Sequence, residues 1–176
     1  MERRRPIQPR IDAGGQPAGA PGSAADRFRE ALARWATTVT IVAARDTAGG
    51  VHATTATSFA PVSAEPPVVV VCLGPGAQVL PHAEVGDRVG VSLLHEDQSR
   101  WASIYADPFP VDSPAWTEGT PLVPGSVAGL RCTVEEVHPV AGGSRILVCR
   151  VEEAEVGESD GPLLYWQRGY RKLDLG

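Results

Sequence analysis

The stretch Ala53–Leu73, ATTATSFAPVSAEPPVVVVCL, decides how this chain folds. It opens on Thr54, Thr55, Ala56, Thr57 and Ser58, a β-prone run without a bulky side chain, so a flat ligand can approach its backbone N–H and C=O groups with hydroxyls as further donors. Ser63 and the Pro66-Pro67 pair then reverse the chain, because proline fixes its own φ and forces the preceding residue to be extended. Val68, Val69, Val70, Val71, Cys72 and Leu73 follow as a fully buried strand, too short to cross a membrane.

Working outward, the segment upstream reads as helix followed by hairpin. Ser23 is placed to cap a helix over Ala24–Ala36, with Asp26 three residues on and Phe28, Leu32 and Trp35 along one face. A strand over Val39–Ala44, a turn at Asp46–Gly50 and a strand over Val51–Ser58 come next, the Gly49-Gly50 pair supplying the positive φ a hairpin demands. Met1 to about Gly22 is rich in Pro, Gly, Arg and Ala without apolar periodicity and is expected to be a flexible tail, leaving residues 23–176 as the folded domain.

Downstream, GPGAQVLPHAEVGD is turn-rich and has room for no more than a short helix. Arg88–Leu94 resumes strand character, and Glu96–Ala106 fits a second helix with Trp101 and Tyr105 four apart. Residues 107–126 carry Pro108, Pro110, Pro114, Pro121 and Pro124 and read as a long irregular excursion of the sort that often carries function. Leu130, Cys132 and Val134 alternate with Arg131, Thr133 and Glu135, a half-buried strand. Gly142-Gly143-Ser144 turns the chain into Arg145–Val151, and Leu163–Tyr165 forms a last short strand. About seven strands joined by hairpins, with two or three short helices, predict a mainly β, antiparallel barrel of Greek-key character.

Composition narrows the function. The 176 residues suit one domain, and an apolar fraction of 43% fills one core. A net charge of −5 argues against a nucleic-acid or anionic-membrane surface, despite the Arg3-Arg4-Arg5 triplet, which lacks the apolar segment of a targeting signal. Cys72, Cys132 and Cys149 form no CxxC pair and read as buried free thiols of a reducing cytoplasm. His52, His82, His95 and His138 lack metal-ligand spacing, so no metal site is expected. The glutamates at 135, 136, 152, 153 and 155 read as a solvated face with no catalytic carboxylate pair.

Taken in order, FREALARWATTVTIVAA, ATTATSFAPVSAEPPVVVVCL, VSLLHEDQSRWASIYA, GTPLVPGSVAGLRCTVEE and PLLYWQRGYRKL cover Phe28 to Leu173, and their joint spacing resembles the flavin reductase family with the FMN-binding split barrel. The resemblance implies a homodimer with flavin near the subunit interface, FMN or FAD as flavin, NADH or NADPH as hydride donor, and a separate monooxygenase as recipient of reduced flavin. Carried over, it implies that Thr54, Thr55, Ala56, Thr57 and Ser58 hold the isoalloxazine and ribityl. It places the loop Leu73, Gly74, Pro75, Gly76, Ala77, Gln78 and Val79 by the phosphate, Ser92, His95 and Gln98 facing the same site, and Tyr170 closing over the ligand.

This sequence departs from the family at definite positions. Ala53 and Thr38 replace usual glycines, and GPGAQ has no hydroxyl where the family carries serine or threonine, which leaves the amides of Gly74 and Gly76 as a possible anion nest. Arg145 stands at the position of a histidine that family reductases use near the nicotinamide, and Arg150 at that of a glycine. Arg145 is therefore the residue to watch for a nicotinamide or substrate contact, since its planar fork grips phosphate or carboxylate bidentately. Two other readings stay open on these residues: a flavin-retaining enzyme in which Arg145 and Arg150 read a small anionic metabolite, and a non-catalytic flavin-binding module.

Overall fold

The computed structural model of the chain describes residues 22–159 and 161–173. The tail expected over residues 1–21 lies outside the described residues. The chain divides after Trp35, so the first helix groups apart from all the strands.

That helix, α1 (Ala24–Leu32), begins as the sequence predicts, with the Ser23 hydroxyl oxygen accepting the Asp26 N–H at 3.1 Å. It stops four residues before the predicted Ala36, in a turn where the Arg34 N–H donates to Ala31 and the Trp35 N–H to Leu32. Phe28, Leu32 and Trp35 are exposed at 63%, 49% and 68%.

Among the described residues the second unit is built from ten strands: β1 (Thr37–Thr38), β2 (Thr40–Arg45), β3 (Val51–Ala56), β4 (Phe59–Ala64), β5 (Pro67–Leu73), β6 (Arg88–Leu93), β7 (Ala128–Pro139), β8 (Arg145–Val156), β9 (Leu164–Trp166) and β10 (Gly169–Arg171). Seven of them form one antiparallel sheet in the order β3-β2-β6-β7-β8-β5-β4. Its two edge strands, β3 and β4, are joined by Thr57 and Ser58 alone. Laid flat, seven strands span about 29 Å at roughly 4.8 Å each, whereas the link reaches about 10 Å. The sheet therefore curls until its edges approach. No ladder pairs β3 with β4, so the barrel has a seam and does not close by hydrogen bonding as full closure would require. The smaller sheet runs β1-β9-β10.

β4 is a strand the sequence hides behind Pro61. On an edge, a proline's missing N–H costs no ladder bond, and the register shifts between Pro61 and Ser63 to absorb the irregularity. The chain then reverses at Glu65-Pro66, as expected.

Every residue of β2 from Thr40 to Ala44 is buried because both sheet faces are covered. Val42 and Ala44 point into the barrel with Val69, Val71, Val89, Val91 and Leu147, while Ile41 and Ala43 face an outer layer with Leu94, Tyr105 and Val123. Each fully buried aliphatic side chain stabilises the fold by roughly 1.5–3 kcal/mol. The outer layer is built by helix α2 (Ser99–Ile104), shorter than the predicted Glu96–Ala106, and by the proline-rich excursion.

Two of the three thiols behave as the sequence suggests. Cys132 and Cys149 are buried inside the barrel, and burial pushes both up to about 12; Cys72 is exposed instead. At pH 8 a thiol of that kind is about one part in ten thousand thiolate. Iodoacetamide at pH 8 is therefore expected to alkylate Cys72 alone in the folded protein, with all three modified in denaturant. Mass spectrometry reading two or more adducts before unfolding would contradict this burial.

Candidate active site

The β3 strand is less open than a bare platform. Ala53 and Ala56 are buried, and Ala56 accepts the Thr40 hydroxyl through its carbonyl at 2.8 Å. The Thr55 N–H donates to Tyr105 O at 2.9 Å and its hydroxyl to Ala102 O at 2.8 Å, so the C-terminal end of α2 occupies the free edge at Thr55. Thr54 is half-buried, whereas Thr57 and Ser58 are exposed. What remains for a ligand is the Ala56–Ser58 end of the run.

That end meets the predicted phosphate loop. The Ser58 hydroxyl donates to the Cys72 carbonyl, tying the exit of β3 to the exit of β5. Leu73 is buried, Gly74, Pro75, Gly76 and Gln78 are exposed, Ala77 is half-buried, and Val79 is buried in the barrel. The loop is folded by the Ala77 N–H donating to Gly74 O at 3.0 Å. A side chain built at Gly74 or Gly76 would meet nothing within 4 Å, so open space stands over both.

The nest expected of those glycines does not form in its usual geometry, because neither has a positive φ. Instead, among the described residues, the backbone N–H groups of Gly76 and Gln78 donate to no acceptor, while the Gln78 side-chain amide donates to Gly76 O at 3.5 Å. Arg145 stands across from this loop in register with Leu73. A cleft of about 400 Å³ lies between them, lined by Pro75, Gly76, Gln78, Leu80, Gly143 and Arg145 among others. One guanidinium nitrogen of Arg145 contacts Glu84 Oε1 at 2.6 Å. Thr57, Ser58, the 73–78 loop and Arg145 thus share one rim of the barrel.

The other expected residues go elsewhere. Ser92 is buried and accepts the Val123 N–H at 2.9 Å. Gln98 accepts the His95 N–H at 2.9 Å through Oε1, which also takes the Ser126 hydroxyl at 3.3 Å, and donates to Pro124 O at 2.8 Å. Together they hold the proline-rich excursion against its own sheet, a fixing extended by Arg45, which donates to Thr117 O and Gly119 O. Gln98→Leu is expected to cost about 1 kcal/mol, since it removes the partner of a carbonyl and an N–H that water reaches in part. A urea midpoint equal to wild type would remove this role.

His95 contacts Ser159 Oγ at 3.0 Å and opens on a separate cavity of about 480 Å³ with Ser126, Glu155 and Glu158. Its neighbours Glu96 and Asp97 bring possible metal-ligand atoms within 4.8 Å of it, but the Lys172 ammonium already pairs with both carboxylates, at 3.3 and 2.5 Å. Tyr170 packs edge-on to Tyr165 with centroids 5.6 Å apart, and burial raises its phenol above the ordinary range, keeping it neutral. Arg150 is taken up by Glu135 at 2.7 Å and Glu152 at 3.6 Å on the barrel exterior. Glu84, the partner of Arg145, carried no sequence signal; it lies 61 residues away within a turn.

Comparisons with known proteins agree with this architecture. The flavin reductase like domain family matches residues 32–174. The 4-hydroxyphenylacetate 3-monooxygenase, reductase component, of Thermus thermophilus is 43% identical over 148 residues, covering 84% of this chain and 96% of that one. The structure of the styrene monooxygenase flavin reductase from Pseudomonas putida S12 superposes with a TM-score of 0.74 at 30% identity, over 85% of this chain and 99% of that one. That of a Streptomyces globisporus C-1027 NADH:FAD oxidoreductase, in complex with NAD and FAD fragments, gives 0.76 at 25% identity, over 86% and 94%.

Proposed function

The chain belongs to the flavin reductase like family, and from that premise we propose that it catalyses NAD(P)H-dependent reduction of FMN or FAD and passes the reduced flavin to a separate monooxygenase. The observation that carries the site is the rim where Ser58 is tied to Cys72 at the exit of β5 and the loop that follows faces Arg145 across an open cleft. Its donors fit a flavin: exposed hydroxyl and amide groups beside small residues for a planar ring, and a cation with two unpaired amides for a phosphate.

Bound flavin supplies the hydride-accepting ring chemistry, so the protein needs no acid, base or nucleophile of its own. The chain's share is orientation. The Ala56–Ser58 backbone offers a slim surface for the ring, and the backbone N–H groups of Gly76 and Gln78 offer donors for the phosphate. Tyr170 and Thr55 support the site from the α2 layer: Thr55 anchors the end of that helix, and Tyr170 lies in the same packed cluster.

A homodimer is part of this reading, supported by the exposed Phe28, Leu32 and Trp35, an apolar stripe of the kind that marks protein interfaces. Sedimentation at twice the 18.5 kDa chain mass is the expected result. Three free cysteines fit the reducing cytoplasm, and among the described residues no helix is long and apolar enough to cross a membrane. In steady state, nicotinamide oxidation is expected to depend saturably on added FMN or FAD. Oxidation indifferent to added flavin, or absent with every pair, would overturn the activity.

A further inference from the structure

We propose that Arg145 reads a ligand phosphate, with Glu84 as its resting counter-ion: a phosphate entering the cleft between the Gly74–Gln78 loop and the Gly142-Gly143 turn takes the guanidinium from the carboxylate. The proposal rests on the reductase reading only for the identity of the ligand.

Four observations lead there. Among the described residues that line the cleft Arg145 is the only charged one, and its counter-ion Glu84 is not part of the lining, so release of Glu84 leaves a cation facing an entering anion. Its partner holds it through a single contact, Nη1 to Oε1, leaving the other guanidinium donors without an acceptor among the described residues. The pair is open to water, with side chains 39% and 58% exposed, and exposed pairs of this kind hold weakly. A phosphate offers the two parallel acceptors the planar fork matches, and the free Gly76 and Gln78 amides add donors.

The cleft wall is rigid where it must be. Gly143 has a φ of +77°, and a Cβ there would come within 3.3 Å of Pro75 Cβ, so the turn preceding β8 packs tightly against the loop and fixes where Arg145 starts. Glu84 is free to leave, being exposed and held otherwise by its own backbone N–H on Asp87. It acts as a competitor: the bound phosphate and the carboxylate repel, so removing the carboxylate charge strengthens phosphate binding.

The phosphate has two possible sources, the flavin's own phosphate and the 2′-phosphate of NADPH. Fluorescence titrations separate them. One arm takes the affinity ratio of FMN to riboflavin, the other that of NADPH to NADH, each in wild type, Arg145→Gln, Arg145→Lys and Glu84→Gln. In one arm, Arg145→Gln is expected to lower the ratio at least about tenfold and Arg145→Lys to restore part of it, because charge without the fork is half the contact. Glu84→Gln is expected to raise the same ratio severalfold, and the arm that moves names the source.

Ratios within about twofold of wild type in both arms for Arg145→Gln, or a Glu84→Gln variant that weakens the phosphorylated ligand, overturn the proposal. If wild type turns over no flavin yet an arm moves as stated, the phosphate site stands and the reductase reading falls.

Discussion

Replacing Gly90 with alanine is expected to destabilise the protein by about 3 kcal/mol or more and to lower its melting temperature by roughly 6–12 °C. Gly90 sits in β6, opposite Ala43 of β2 and Arg131 of β7. The proline-rich excursion crosses the sheet there, and a Cβ would lie 2.0 Å from Pro121 O and 3.0 Å from Pro121 C. Those are backbone atoms of a segment pinned by Arg45 and Ser92, so no side chain can rotate away. The comparison is Gly129→Ala, whose Cβ meets the flexible Leu122 Cδ1 at 2.7 Å and is expected to cost less. Thermal melts of the two variants check the order. A Gly90→Ala protein that melts with wild type would mean the excursion does not lie on the sheet.

The second large effect concerns ligand binding. Thr57→Trp places a bulky ring at the exposed end of the β3 run, beside Ser58 and the Cys72 carbonyl, and is expected to weaken flavin binding at least about tenfold, or about 1.4 kcal/mol. Its melting temperature is expected to stay near that of wild type, because Thr57 is exposed. Thr55→Trp is no equivalent test. Thr55 bonds α2 through both its N–H and its hydroxyl, so that variant is expected to lose stability as well as activity. Flavin affinity unchanged in Thr57→Trp, measured by fluorescence quenching, would remove this end of the strand from the site.

Much of the fold was legible because its signals are local. The Asp46–Gly50 turn forms as read, with Gly49 at a φ of +88° and the Asp46 N–H donating to Gly50 O. The apolar run before Leu73 is an interior strand, but not the fully buried one expected: Val69, Val71 and Leu73 are buried, while Val68 and Val70 are half-buried and Cys72 is exposed. Where the reading fell short, the physical causes are specific. β7 and β8 are each 12 residues long, but alternation marks only Leu130–Glu135 and Arg145–Val151, because register shifts at Arg131/Cys132 and Val134/Glu136 flip the faces partway along.

The site was legible in part. The exposed loop at Gly74–Gln78, the hydroxyls of Thr57 and Ser58, and Arg145 come together at one rim. Thr55, Ser92 and Gln98 looked equally suited to a ligand, yet each is bonded to chain 26 to 47 residues away. Such partners leave no local trace, and a polar side chain waiting for a ligand has the same sequence signature as one already satisfied. Glu84 shows the converse, an unremarked surface carboxylate made relevant by the strand that folds beside it.

The most direct test mixes a small amount of protein anaerobically with a large excess of FMN or FAD and either nicotinamide, and follows the absorbance of oxidised flavin. Bleaching of the whole flavin pool, many equivalents per protein chain, is the result the proposed release of reduced flavin predicts. Bleaching that stops at about one equivalent per chain, or none with any of the pairs, would contradict it.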